Sequence, residues 1–353
     1  MASASAGSVR SASPIGTGPF KFVEFKPNER IRVTRNTDYW KQGRPYLDGI
    51  EYTIIKNLST AILAFVAGKF DMIFRYSVTA PLLKDVNSQM PQAICELTPI
   101  GINRGLIVNR ERPPFDSPDL RRAMALSLDR KAFIDIITEG QGDVGGVMQP
   151  APEGLWGMPP EMLRELPSYD PDVQKNRKEA RQIMQQLGYG PAQRLQVKVS
   201  ARDLPFLRDP AVLLIDHLKQ VYIDGELEMV DTAQYFPKIL RKDFTVALNF
   251  QTAGPDPDPF VHLFYGCGSG LNPDGYCNPE VDKMIEQQSR EADPDRRKRL
   301  LWTIERKLAE DNARPIIYYR PGGTCLQPYV KGLTIDVNYI FGSWRMEDVW
   351  IDK

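Results

Sequence analysis

The sequence predicts an α/β protein arranged as two lobes, and three observations carry that expectation. Apolar runs of period two alternate with runs of helical period along most of the chain, the pattern of a sheet with crossover helices. At 353 residues the chain is longer than one hydrophobic core ordinarily fills. Its composition is 42% hydrophobic and 25% charged, the balance of a globular protein rather than a disordered one.

The elements follow in order. Residues 1–14 are small and polar with no apolar stretch, and read as a disordered leader rather than a signal peptide. Phe20, Phe22 and Phe25 lie near a two-residue alternation, KPNE supplies a turn, and Ile31 and Val33 resume the alternation, so a hairpin is expected. GIEYTIIKN is a further strand. The stripe Ile62, Leu63, Phe65 and Val66 marks a helix that stops at Gly68, and DMIFRYSV begins the next strand. This β-α-β order predicts a crossover within one α/β lobe.

GINRGLIVN is again a strand. The turn cluster PPFDSPD offers Asp116, Ser117 and Asp119 as caps for one long helix, LRRAMALSLDRKAFIDIIT, with Arg121, Arg122 and Arg130 expected on its solvent face. GVMQPAPEGLWGMPPEM is too rich in Pro and Gly for regular structure and reads as a long ordered loop bearing Trp156. The helix NRKEARQIMQQ ends at Gly188 and Gly190. LQVKVSA, GELEMVD and FTVALNF then read as strands separated by the helices DPAVLLIDHLKQVY and TAQYFPKILRK, enough for a second α/β lobe. Two helices split at Asp293-Pro294 follow, then the strand RPIIYYR and the closing segment VKGLTID.

Composition and motifs narrow the function. With 45 Lys and Arg against 45 Asp and Glu, no basic face for nucleic acid is expected. The run Arg296 to Arg299 is backed by Leu300, Leu301, Ile304 and Leu308, which makes it a solvated helix face. Apolar runs such as Ala211 to Ile215 fall far short of the ~20 residues of a membrane span. Four Cys and two His without CxxC or HxxxH spacing predict no metal site. No cofactor is expected, since the GxG at Gly16 to Gly18 lacks the rest of a phosphate-binding fingerprint. No GxSxG or HExxH appears, so no catalytic residue is assigned. Asp256 and Asp258, interleaved with Pro257 and Pro259, read as turn-fixing and helix-capping carboxylates rather than an acid–base pair. Cys267 and Cys277 bracket the turn-rich loop GSGLNPDGY, which can bring the sulfurs together; a disulfide and two free thiols both stay open.

Several blocks carry a resemblance. GTGPFKFVEFKPNERIRVTRNTDYWKQGRPYLDGIEY, AFVAGKFDM, VNRERPPFDSPDLRRAMALSLDRKAF, PDPDPF and CNPEVDKMI resemble, in the same order, the family-5 extracellular solute-binding proteins. These are the peptide, dipeptide and nickel binding subunits of ABC importers. The resemblance runs from about Ile15 to the C-terminus and implies a two-lobed periplasmic-binding-protein fold of type II, cluster C. Members of the family carry a signal peptide, a first strand and a sizeable subdomain before the GTGPF block, so a truncated first lobe is expected here. The expected division is 15–107 with 322–353 as lobe one and 108–321 as lobe two, with crossings at Leu106 to Asn109 and Ile316 to Arg320.

The resemblance further implies a monomeric, periplasmic receptor that is not an enzyme. It would hold a solute in a cleft between lobes and deliver it to the membrane subunits of an ABC permease. A remnant that binds nothing is the alternative reading, and a hydrolase the least favoured. Peptide binders of the family resemble Trp-x-Ala-Asp-Tyr-Pro-Asp-Pro, in which the Asp pairs with the ligand's α-amino group. Here the segment is Phe250-Gln251-Thr252-Ala253-Gly254-Pro255-Asp256-Pro257, and Ala253 cannot serve that purpose. A free ammonium would be desolvated without a partner, so a neutral, anionic, amino-blocked or opine-like solute is expected. The candidate ligand residues are Phe250, Gln251 and Gly254 at the end of FTVALNF, the aromatic residues Trp156, Tyr76 and Trp344, and Arg202 and Arg320 as carboxylate partners.

Overall fold

The computed structural model describes residues 15–337 and 343–353; the leader expected over 1–14 lies outside the described residues. The chain divides into two units, one holding the residues up to Thr98 together with Gly322–Lys353, the other Pro99–Pro321. It therefore leaves the first unit at Thr98, ahead of the expected boundary at 107/108. The reason is that one continuous strand occupies Ile94–Val108 and is fully buried from Ile100 onward within the second unit.

In the first unit, strands β1 (Phe20–Lys26), β2 (Arg30–Arg35) and β3 (Gly49–Thr53) form an antiparallel sheet with β2 in the middle. The pairing of β1 with β2 shifts register between Phe22 and Glu24, and Phe25 is exposed. Helix α1 (Leu58–Val66) starts at Asn57, whose side chain accepts from the Thr60 N–H, and buries Ile62 and Phe65. Strand β4 (Met72–Val78) does not join β3. It pairs antiparallel with residues of Ile316–Leu326, from the other end of the chain, so the crossover expected between β3 and β4 is not made. The alternating, half-exposed β3 needs only β2 as neighbour. Helix α2 (Ala80–Gln89) closes a core of Ile62, Phe65, Ile73, Val78, Val86 and Met90. A disulfide joins Cys95, near the start of β5 (Ile94–Val108), to Cys325 beside that core.

In the second unit the expected long helix is two. Helices α3 (Pro118–Leu126) and α4 (Arg130–Thr138) are separated at Ser127–Asp129, where Asp129 caps α4 by accepting from the Ala132 N–H, and Ser117 caps α3. Arg122 is exposed and pairs with Glu179, but Arg121 and Arg130 are buried, contrary to expectation. Arg121 donates to the Phe115 and Asp116 carbonyls, and Arg130 to those of Ile316 and Ser168. A guanidinium with five donors can be buried where backbone carbonyls receive it.

After the short helix α5 (Pro160–Leu163) come α6 (Val173–Gln186), β6 (Leu195–Arg202), α7 (Pro205–Lys219), β7 (Ile223–Val230), α8 (Thr232–Leu240) and β8 (Val246–Thr252). Strand β6 pairs parallel with both β7 and β8, the crossover arrangement that β-α-β alternation demands, and β5 pairs antiparallel with β8. Helices α9 (Asp258–Tyr265), α10 (Pro279–Arg290) and α11 (Pro294–Glu310) pack around Val261, Val281, Ile285, Leu301, Ile304 and Leu308. Strand β9 (Ile316–Leu326) is buried throughout. Two short strands, β10 (Val330–Lys331) and β11 (Trp350–Ile351), pair in the first unit. No helix among the described residues is long and apolar enough to cross a membrane.

Candidate functional site

The second unit gathers three guanidinium groups around two phenyl rings. In the β5–β8 register Arg104 stands directly opposite Phe250, so both side chains leave the same face of the sheet. Phe206, in the first turn of α7, brings its ring to 6.3 Å from that of Phe250. Arg104 lies 5.4 Å from the Phe206 ring and 5.5 Å from Phe250, and Arg320 of β9 lies 5.1 Å from Phe206. Arg202, the last residue of β6, lies 5.8 Å from Phe250 and 5.2 Å from Phe236, and its Nε donates to Thr232 Oγ1 at 3.0 Å. Burial is the main influence on Arg202 and pulls its pKa below the usual arginine range. Aromatic faces attract the guanidinium groups and displace water from around them.

Of the residues expected to bind ligand, Phe250, Arg202 and Arg320 are thus brought together. Gln251 is not with them. Neighbouring residues of a strand point to opposite faces, and Gln251 leaves β8 on the face of Asn103, its register partner. That face is polar and buried. The Asn103 side chain accepts from the Gln251 N–H at 3.3 Å, and the Tyr319 hydroxyl donates toward the Gly146 or Val147 carbonyl at 3.1 Å. Gly254 follows the end of β8, next to Ala253.

Trp156 is committed elsewhere. Its indole N–H donates to the Pro255 carbonyl at 3.0 Å, and Arg297 lies 4.8 Å from its ring. Asp256 receives Arg297 and accepts from the Asp258 N–H at 2.8 Å. The side chains of Tyr76 and Trp344 lie outside the described residues. Arg104 and Phe206 are the site residues that sequence reasoning missed. The signal for Arg104 was an arginine in the strand pattern GINRGLIVN, within reach of Ile102, Leu106, Ile107 and Val108, a placement that needs an internal reason.

Cys267 and Cys277 form a disulfide. Their loop is held by Asn272, which donates to the Gly266 and Tyr276 carbonyls, and by a buried ion pair of Arg314 with Asp274 at 2.7 Å. Among the described residues no group of three or more His, Cys, Asp or Glu could hold a metal ion.

The chain belongs to a known family: the profile of the bacterial extracellular solute-binding proteins, family 5 Middle, matches residues 3–272. The oligopeptide-binding protein AppA of Bacillus subtilis is 25% identical over 323 residues, covering 87% of this chain and 56% of AppA. Haemophilus influenzae OppA, solved in complex with RPPGFSPFR, superposes with a TM-score of 0.83 at 22% identity, over 96% of this chain and 65% of that one. AgaA from A. tumefaciens, solved in complex with agropinic acid, gives 0.81 at 22% identity, over 97% and 68%. These likenesses show the fold, that of the two-lobed periplasmic binding proteins. The chain spans about half the length of the curated relatives it matches.

Proposed function

We propose that this family-5 member is the solute-capturing component of an ABC-type importer, and that its solute is a small carboxylate-bearing compound with its amino group blocked or absent. The observation that supports this is the gathering of Arg202, Arg104 and Arg320 on the Phe206–Phe250 pair. A guanidinium meets a carboxylate through two parallel N–H donors, and the bond strengthens where aromatic rings exclude water. Ala253, buried at the end of the same strand, offers a methyl group and no acceptor for an ammonium. The name of AppA points toward peptides and the complex of AgaA toward an acid; the arginine cluster with Ala253 favours the acid. Capture involves no bond making: a monomer in the periplasm binds the solute and hands it to the permease.

A thermal-shift screen against short peptides, opine-type acids, sugars, polyamines and metal chelates tests the reading. A saturable rise with the acids that Arg202→Gln removes supports it. A response confined to free peptides, sugars or polyamines sinks it.

A further inference from the structure

We propose that Thr232 is the positioning residue of the arginine site: by holding Arg202 Nε it leaves the Nη1 and Nη2 edge of that guanidinium for the solute, whose carboxylate is received end-on. The inference rests on the carboxylate-solute reading and names both the donor edge and the residue that selects it.

Strand register and a helix start bring the two residues together. Strands β6 and β7 run parallel, and their last residues, Arg202 and Val230, are register partners. The Asp203 N–H donates to the Val230 carbonyl at 2.7 Å, which fixes the strand end that carries Arg202. Asp231 caps α8 by accepting from the Ala233 N–H at 2.8 Å, so Thr232 opens the helix two residues beyond the partner of Arg202. Its Oγ1 accepts from Arg202 Nε at 3.0 Å.

A guanidinium carries five N–H donors in one plane. Thr232 takes the donor on Nε, which closes the side-on fork made of Nε and one Nη. The rings of Phe236 and Phe250 lie 5.2 and 5.8 Å away and leave no side-chain oxygen there to take the rest. Among the described residues Arg202 makes no second hydrogen bond and no ion pair. It is only part-buried, and Phe236 beside it is 46% exposed, so a molecule arriving from solvent can meet the remaining edge. A hydroxyl suits this task for a reason of charge. It accepts from Nε without cancelling the positive charge, whereas a carboxylate in its place would take the fork and neutralise it.

The test titrates N-acetylglycine and pentanoate, two acids without an ammonium, into wild type, Thr232→Val, Thr232→Ser and Thr232→Asp by calorimetry, with a melting curve of each protein alone. Thr232→Val keeps the shape and removes the acceptor, and is expected to bind about tenfold more weakly, the loss that goes with one hydrogen bond. Thr232→Ser restores the hydroxyl and should bind as wild type does. Thr232→Asp is expected to bind neither acid while melting as wild type does, because its carboxylate pairs with Arg202 and is favourable in the first turn of a helix. A merely structural Thr232 predicts the opposite for Thr232→Asp, a folded protein with unimpaired binding. Should Thr232→Val or Thr232→Asp fail to fold, the other decides. Wild-type affinity in either, or no rescue by Thr232→Ser, overturns the proposal and leaves the carboxylate reading in place. If wild type takes up neither acid, the carboxylate reading fails and the proposal falls with it.

Discussion

Arg297 grips Asp256 through two parallel bonds, Nη1 to Oδ2 at 2.9 Å and Nη2 to Oδ1 at 2.7 Å, while its guanidinium also lies over the Trp156 ring. The first turn of α11 thereby holds the Pro255–Pro257 loop and the Trp156 loop at once. The bond to Arg297 keeps the Asp256 carboxyl below its ordinary pKa, which leaves it ionised and committed to structure rather than to proton transfer.

Removing that grip with Arg297→Gln is expected to cost about 1 kcal/mol, a modest figure because Asp256 is half exposed and screened. Arg297→Lys should not rescue it, since an ammonium cannot reproduce the planar fork. Melting curves at low and high salt check this: the gap between wild type and Arg297→Gln should narrow as salt rises.

Glu305 predicts an alkaline loss of stability. Its carboxyl is buried so close to Gly146 that a Cβ there would lie 1.4 Å from Oε1, and burial pushes its pKa up to about 8 despite the N–H groups of Val147 and Met148 beside it. The folded pKa lies above the unfolded one, so the stabilisation is complete below about pH 4.5 and is lost as pH rises towards 8. At neutrality the loss is on the order of 3 kcal/mol. Glu305→Gln, which cannot ionise, should flatten this arm of the stability profile measured by urea unfolding across that range.

His217 acts on the acid side. Burial, reinforced by Arg177, lowers its pKa to about 4, and its Nδ1 accepts from the Asp129 N–H at the cap of α4. Its stabilisation is present above pH 6.5 and is lost as pH falls towards 4. Between about pH 4.5 and 6.5 the two groups oppose each other, so wild type should show a plateau there. His217→Gln should leave Glu305 unopposed and turn that plateau into a continued rise in stability as pH falls to about 4.5, with the decline towards pH 8 unchanged, and a profile unchanged by it would refute the assignment.

Where a signal is local, the sequence reveals it. Asp293 and Pro294 end one helix and start the next because a cap and a fixed φ act within one turn. The break between α3 and α4 is hidden because Ser127-Leu128-Asp129 contains no Gly or Pro and the apolar period runs on through it. Arg130 reads as a surface residue because the carbonyls that receive it, on Ile316 and Ser168, lie far along the chain. The site shows the same division. Arg202 ends β6 and Phe250 lies two residues from the end of β8, placements visible in the sequence, whereas Arg104 joins them through the register of β5 on β8, which no local pattern encodes. Gln251 followed Phe250 into the expected site by adjacency, although a strand places neighbours on opposite faces.

The Cys95–Cys325 bond is the extreme case of a distant partner, and it carries the last prediction. The two residues are 230 apart in sequence, and Cys325 is buried beside Phe65, Ile73, Val78 and Val86, a small core for a unit assembled from both ends of the chain. Cross-linking so long a loop removes freedom from the unfolded chain worth roughly 5 kcal/mol in the chain-entropy account, whereas Cys267–Cys277 closes a separation of only 10 and contributes roughly 3. Cys95→Ser/Cys325→Ser should therefore lower the melting temperature more than Cys267→Ser/Cys277→Ser. Hydrogen exchange should localise the first loss to α1, β4 and α2, and leave the β6–β7 ladder protected. Equal losses from the two pairs, or deprotection spread evenly over both units, would show that the first unit does not depend on its staple.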